Sequence, residues 1–218
     1  CDFYSIPKRE DEIPKFVETL ATEISLYADS HDINWEFDTI FLGGGTPSLF
    51  TVKGLELILE TLDQKFGISN VKEITLEANP GEAPYEKLKA FRELGVNRLS
   101  MGFQSFDADL LTFLGRIHNP DDCFNTFKNA RKAGFDNINA DLIFDIPGQS
   151  LRKWKKDLKT LVDLQPEHIS AYSLTVEENT TLFGLVKSGK VKMPSEILDF
   201  AMFKHTRDFL SQNNYKSY

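Results

Sequence analysis

Several groups that could do chemistry stand at intervals along this 218-residue chain: the glycine stretch Gly43-Gly44-Gly45-Thr46, the carboxylates Glu77 and Asp141, the amide Gln104, the guanidinium Arg116 and the hydroxyl of Thr175. Glycines that end an apolar run leave backbone N–H and C=O groups open to close approach. Carboxylates accept hydrogen bonds from ammonium or hydroxyl groups, and arginine forks onto a carboxylate. Together they suit a ligand that carries an amino group, a carboxylate and a ribose diol. Each also has an ordinary use: the glycines as a tight turn, Glu77 and Asp141 as helix caps, Gln104 satisfying loop backbone, Arg116 in a surface ion pair.

Their placement decides between these readings. Short apolar runs at Thr39–Leu42, Glu73–Glu77, Asn97–Gly102, Asn137–Phe144 and His168–Leu174 read as strands. Stretches with apolar residues at helical spacing separate them: Asp11 to about Ser30, then around Leu55–Phe66, Tyr85–Leu94, Asp107–Leu114 with Asn119–Ala133, Leu151–Val162, and a final Pro194–Ser211. Gly67, Gly95 and Gly134 supply stop signals, and Asn119-Pro120 a start. Strands alternating with crossover helices predict a parallel sheet with right-handed connections. Polar residues follow or end each strand (Gly43 to Thr46, Glu77 with Asn79, Gln104 with Ser105, Asp141, Thr175), so an open or partly closed β/α barrel fits better than a doubly wound sheet. In that fold the groups are expected to share one mouth.

Composition narrows the function classes. A net charge of −8 argues against a nucleic-acid partner, since nothing supplies a basic footprint; Arg152-Lys153-Trp154-Lys155-Lys156 reads as the solvated face of a helix. No apolar run reaches membrane-spanning length and no signal peptide is present, which sets a cytoplasmic location as the expectation. Two cysteines make a disulfide framework implausible: Cys123, beside Phe124 and Phe127, reads as core, whereas Cys1 opens an aromatic-rich stretch before the first helix. His118 lies near the expected mouth but reads as structural, as do His31, His168 and His205. The chain starts at Cys1 rather than a methionine and stops at Tyr218 without a terminating signal, which predicts one core domain, 1–218, truncated at both ends.

The motifs Cys1-Asp2-Phe3, Gly43-Gly44-Gly45-Thr46-Pro47-Ser48, Glu77-Ala78-Asn79-Pro80, Ser100-Met101-Gly102-Phe103-Gln104-Ser105-Phe106, Leu114-Gly115-Arg116-Ile117-His118, Asn139-Ala140-Asp141 with Pro147-Gly148-Gln149, and His168–Leu174 occur in this order. Together they resemble the radical S-adenosylmethionine family of oxygen-independent coproporphyrinogen III oxidases and their heme-chaperone relatives. The resemblance implies an α/β fold, a partial (β/α)6 barrel of the radical SAM type with its first strand upstream of Cys1. It implies a 4Fe-4S cluster with Cys1 as the third cysteine of a C-x3-C-x2-C motif, and S-adenosylmethionine bound to the open iron. The chemistry, reductive cleavage of the sulfonium, is then the cofactor's own. By the same resemblance Gly44, Gly45 and Thr46 line the methionine end, Glu77 is a further contact, Arg116 pairs with the carboxylate, Gln104 and Asp141 hold the ribose hydroxyls, and Thr175 lies on the adenine side.

Oxidases of this family carry Gly-Cys after the third cluster cysteine, where this chain has Asp2-Phe3. That pair and Leu114–Asn119 are similar to the heme-chaperone branch, which carries heme as cargo to respiratory proteins. The favoured expectation is therefore a heme chaperone with no catalytic residue assigned. The alternatives are an oxidase that decarboxylates coproporphyrinogen III and a β/α-barrel protein that has lost the cluster.

Overall fold

The computed structural model describes residues 9–31 and 36–218; Cys1 and Asp2-Phe3 lie outside the described residues. Five strands, β1 (Thr39–Leu42), β2 (Glu73–Ala78), β3 (Arg98–Gln104), β4 (Ile138–Phe144) and β5 (His168–Ser173), follow one another across the sheet in sequence order. β1 pairs with β2 and β4 with β5 in parallel. A sheet whose order never reverses has no topological switch point, which is the order expected of a β/α barrel and not of a doubly wound fold.

α1 (Ile13–Ser30) precedes β1; between the strands run α2 (Val52–Phe66), α3 (Tyr85–Glu93), α4 (Ala108–Phe113), α5 (Pro120–Lys132) and α6 (Leu151–Leu164), and α7 (Thr181–Lys187) and α8 (Glu196–Gln212) follow β5. Two compact units emerge: one holds the described residues up to Leu99 with Thr126–Asp136, the other Ser100–Asn125 with Asn137–Tyr218.

In the first unit the periodic apolar residues of α2 and α3 form the core: Leu55, Ile58, Leu76, Leu88, Phe91 and Leu99 are fully buried. The Thr51 hydroxyl caps α2 by accepting from the Gly54 N–H at 3.0 Å, and Gly67 ends it in the left-handed region. α1 departs from expectation. Its acidic residues Glu10, Asp11 and Glu12 form a separate 3-10 turn ahead of the helix, and of its apolar stripe only Val17 is buried while Phe16 and Tyr27 stay exposed.

In the second unit Met101, Phe103, Leu111, Ile138, Leu142, Trp154, Leu158, Leu161 and Met202 are buried. Trp154 stacks toward Phe144 with ring centroids 5.3 Å apart and donates its indole N–H to the Thr206 hydroxyl at 2.8 Å, so the polar tip of this large side chain is satisfied. α7 was not anticipated; at seven residues it is too short for periodicity to register.

Candidate functional site

In the first unit the site residues gather at the C-terminal ends of β1 and β2. The parallel register aligns Leu42 with Leu76, so the next residues, Gly43 and Glu77, run on side by side. The Gly44 N–H donates to Glu77 Oε2 at 3.1 Å, tying the glycine loop to the carboxylate. Gly43 has no room for a side chain: a Cβ there would lie 2.5 Å from the Phe41 ring and 3.0 Å from the Glu77 carboxyl carbon. Gly44 and Gly45 are the reverse case, with nothing within 4 Å of a Cβ at either position. Gly44 takes φ 101°, where glycine avoids the steric cost a side chain would bring. The loop therefore offers bare backbone to a ligand.

Thr46 leads into a 3-10 turn, Pro47–Leu49. Ser48 is fully buried and donates to Glu82 Oε2 at 2.9 Å, while Glu82 also accepts from the Asn79 N–H and the Asn79 side-chain amide. Glu82 thus links the glycine loop to the turn after β2. The signal for it was present in the turn-forming Asn79-Pro80-Gly81, which needs a partner for its freed N–H groups.

In the second unit Gln104 ends β3 with φ 66°, and the Ser105 N–H donates to the Phe103 carbonyl at 2.8 Å, closing a γ-turn about Gln104. The residue is 7% exposed, and among the described residues its amide has no hydrogen-bond partner. Arg116 follows α4 at a glycine-terminated end: the Gly115 N–H bonds the Thr112 carbonyl and the Arg116 N–H the Leu111 carbonyl, with Gly115 at φ 70°. Arg116 is half-buried there. His118 is buried with Nε2 3.2 Å from the Phe103 carbonyl, which gives it the structural place expected.

Asp141 needs correction. It lies in the middle of β4, the fourth of seven residues, and not at the strand end. There Asn139 Nδ2 donates to Asp141 Oδ1 at 2.7 Å and to the Ser100 hydroxyl at 2.8 Å, while Asn139 Oδ1 accepts from the Ser170 hydroxyl at 3.1 Å and meets His168 Nδ1. The polar residue after β4 is instead Asp145, held at φ 64°. Burial first, then the Asp199 carboxylate, pushes its carboxyl up to about 6. Asp145 Oδ1 and Gln149 Nε2 are buried without a hydrogen-bond partner among the described residues. Thr175 sits beyond the end of β5 and is exposed.

Behind Gln104 stands a residue that sequence reasoning missed. Asp157, on α6, is 1% exposed and accepts from the Ser105 hydroxyl at 2.6 Å and from the Phe106 N–H at 3.1 Å. Burial lifts its carboxyl to about 6 against the lowering effect of those two bonds. Its spacing from Trp154, Leu158 and Leu161 puts it on the apolar stripe of a helix otherwise rich in lysine, which was the available signal. Cys123 is buried as expected, and burial, with Asp122 adding to it, pushes its thiol up to about 12.

The profile of the radical SAM superfamily matches residues 1–161. The chain belongs to the radical SAM superfamily. It is 33% identical to the heme chaperone HemW of Lactococcus lactis over all of this chain and 56% of that protein, and 35% identical to the heme chaperone HemW of Bacillus subtilis over 94% of this chain and 54% of that one. Among solved structures, the Escherichia coli coproporphyrinogen III oxidase HemN, described as a radical SAM enzyme, superposes with a TM-score of 0.87 at 26% identity over 99% of this chain and 50% of its own. The chain thus spans about half the length of the relatives it matches. No helix among the described residues is long and apolar enough to cross a membrane.

Proposed function

We propose that this chain is the radical SAM core of a heme chaperone that binds a 4Fe-4S cluster, S-adenosylmethionine and heme, the heme as cargo for heme-accepting respiratory proteins. The observation that carries the S-adenosylmethionine part is the glycine loop, where Gly44 and Gly45 present open backbone and Glu77 is held against the Gly44 N–H. Backbone N–H and C=O groups with no side chain over them can meet the amino and carboxylate groups of the methionine end. Thr46 extends that edge, and a carboxylate such as Glu77 is an acceptor suited to an ammonium or hydroxyl.

Gln104 and Asp141 are assigned to the ribose hydroxyls, Arg116 to the ligand carboxylate and Thr175 to the adenine side. The Gln104 amide, at a residue only 7% exposed and without a hydrogen-bond partner among the described residues, supports its assignment, since its donor and acceptor are left for a ligand. The donor and acceptor chemistry of each of these residues supports its assignment to S-adenosylmethionine. Cys1 is assigned to the cluster on sequence alone, and the cluster supplies the electron that cleaves the sulfonium when both groups are bound.

Heme as cargo is supported by the relatives named heme chaperone at 33–35% identity, together with Asp2-Phe3 in place of the oxidase Gly-Cys. The second reading, an oxygen-independent coproporphyrinogen III oxidase, draws on the TM-score of 0.87 to HemN. Anaerobic incubation of the reconstituted full-length protein with S-adenosylmethionine and coproporphyrinogen III separates them. The chaperone reading expects the porphyrinogen to be recovered unchanged; protoporphyrinogen formed over many turnovers would establish the oxidase instead.

A further inference from the structure

The turn at Gln104 is an unusual place to leave a long polar side chain. A non-glycine residue in the left-handed region persists only where its surroundings over-determine it, and such positions gather at ligand clamps. Gln104, a residue 7% exposed, combines φ 66° with an amide that has no protein partner among the described residues. His118 Nε2 meets the Phe103 carbonyl before the turn at 3.2 Å, and beyond it the restraint comes from Asp157, whose two carboxylate oxygens take the next two residues: the Ser105 hydroxyl at 2.6 Å and the Phe106 N–H at 3.1 Å.

The anchoring extends outward from Asp157. Ser105 Oγ accepts from the Asp107 N–H at 3.0 Å, so the hydroxyl donates to Asp157 and accepts from the chain it restrains. Asp107 caps α4 by accepting from the Asp109 and Leu110 N–H groups, both at 3.2 Å. Lys153, one helical turn before Asp157 on α6, reaches Asp107 at 2.9 Å. The Phe106 ring lies edge-on to Phe103 and stacks on Phe124, at centroid distances of 5.7 and 5.3 Å. α6 thus grips the chain on the far side of Gln104 at two points, while Gln104 itself is left uncommitted.

We infer that Asp157 is a positioning residue for Gln104: by clamping Ser105 and Phe106 it holds the γ-turn that keeps the Gln104 amide in place for the ribose hydroxyls of S-adenosylmethionine. The inference rests on the reading of Gln104 as a contact to that ligand. Asp157 touches no ligand itself. A carboxylate is suited to the task because it can accept from both neighbours at once, whereas an amide at the same place turns one of its two acceptors into a donor.

The test is a double-mutant cycle in the reconstituted full-length protein, with S-adenosylmethionine affinity read by isothermal titration calorimetry and folding read by thermal unfolding. Gln104→Ala is expected to weaken binding about tenfold, the loss of a ligand hydrogen bond. Asp157→Asn is expected to weaken it by a similar factor, and the double variant to bind no worse than Gln104→Ala alone, because the clamp acts only through Gln104. A folded Asp157→Asn protein that binds as the wild type does while Gln104→Ala is impaired overturns the positioning role. So does a further loss of the same size when Asp157→Asn is added to Gln104→Ala, since that is the signature of general loosening. Unchanged affinity in Gln104→Ala removes the ligand contact itself and the clamp's purpose with it. Ser105→Ala cuts one arm of the clamp and leaves the Phe106 bond. Should Asp157→Asn not fold, Ser105→Ala carries the same expectation, and wild-type affinity in folded Ser105→Ala overturns it.

Discussion

Gly45→Ala separates ligand binding from folding at the glycine loop. Gly45 does not adopt a positive φ, and a Cβ there would meet nothing within 4 Å. The added methyl therefore neither strains the backbone nor collides with the protein. By restricting the unfolded chain it should stabilise the fold by about 0.4–1 kcal/mol, a rise in melting temperature of about 1–4 °C for a chain of this size. If the ligand lies against that backbone, the methyl occupies its space, and S-adenosylmethionine affinity should fall by about tenfold or more, the equivalent of about 1.4 kcal/mol. Calorimetric titration and thermal unfolding of the reconstituted full-length protein read the two effects separately. Wild-type affinity in a protein that is as stable as, or more stable than, the wild type would refute the assignment of Gly45 to the methionine end.

Two further outcomes follow from buried ionisable groups. Asp157 is held at about 6 by burial, above its ordinary 3.8, with Asp107 raising it further and Ser105, the Phe106 N–H and Lys156 lowering it. The folded protein therefore holds this proton more tightly than the unfolded chain, and the stabilisation is complete below the ordinary value and lost as pH rises through about 6. Urea unfolding should show the stability of the wild type relative to Asp157→Asn falling by about 2–3 kcal/mol between pH 4 and pH 8; parallel pH profiles would contradict it. Cys123, with its thiol at about 12 and fully buried, should resist alkylation by iodoacetamide at neutral pH until the protein is unfolded, and rapid labelling of the native protein would count against the core packing described.

Strand and helix positions were readable because each apolar run is punctuated. Gly43, Asn79-Pro80-Gly81, Gly95 and Gly134 end elements where the backbone requires them to end, and the order of β1 to β5 follows the tendency of consecutive parallel strands to lie side by side. The family was readable because its motifs recur in order along nearly the whole chain and join backbone-demanding glycines such as Gly43–Gly45 to buried residues such as Met101 and Phe103. Asp141 was misplaced by three residues because the polar set Asn139, Asp141 and Ser170 makes the interior of β4 and β5 look like a strand end. Asp157 escaped because a single carboxylate among lysines reads as surface; only its partners, Ser105 and Phe106, 52 and 51 residues away, show that it belongs to the turn at Gln104. Phe16 and Tyr27 share the helical spacing of α1 yet are exposed, since amphipathic spacing marks a face without saying what covers it.

Heme transfer tests the central claim most directly. The full-length protein, reconstituted anaerobically with iron and sulfide and loaded with heme, is mixed with an apo form of a respiratory heme protein, and the Soret band of each is followed after separation. A heme chaperone should give up its heme stoichiometrically and leave the acceptor holding it. Failure to bind heme at all, or retention of heme in the presence of acceptor together with turnover of coproporphyrinogen III, would contradict that account.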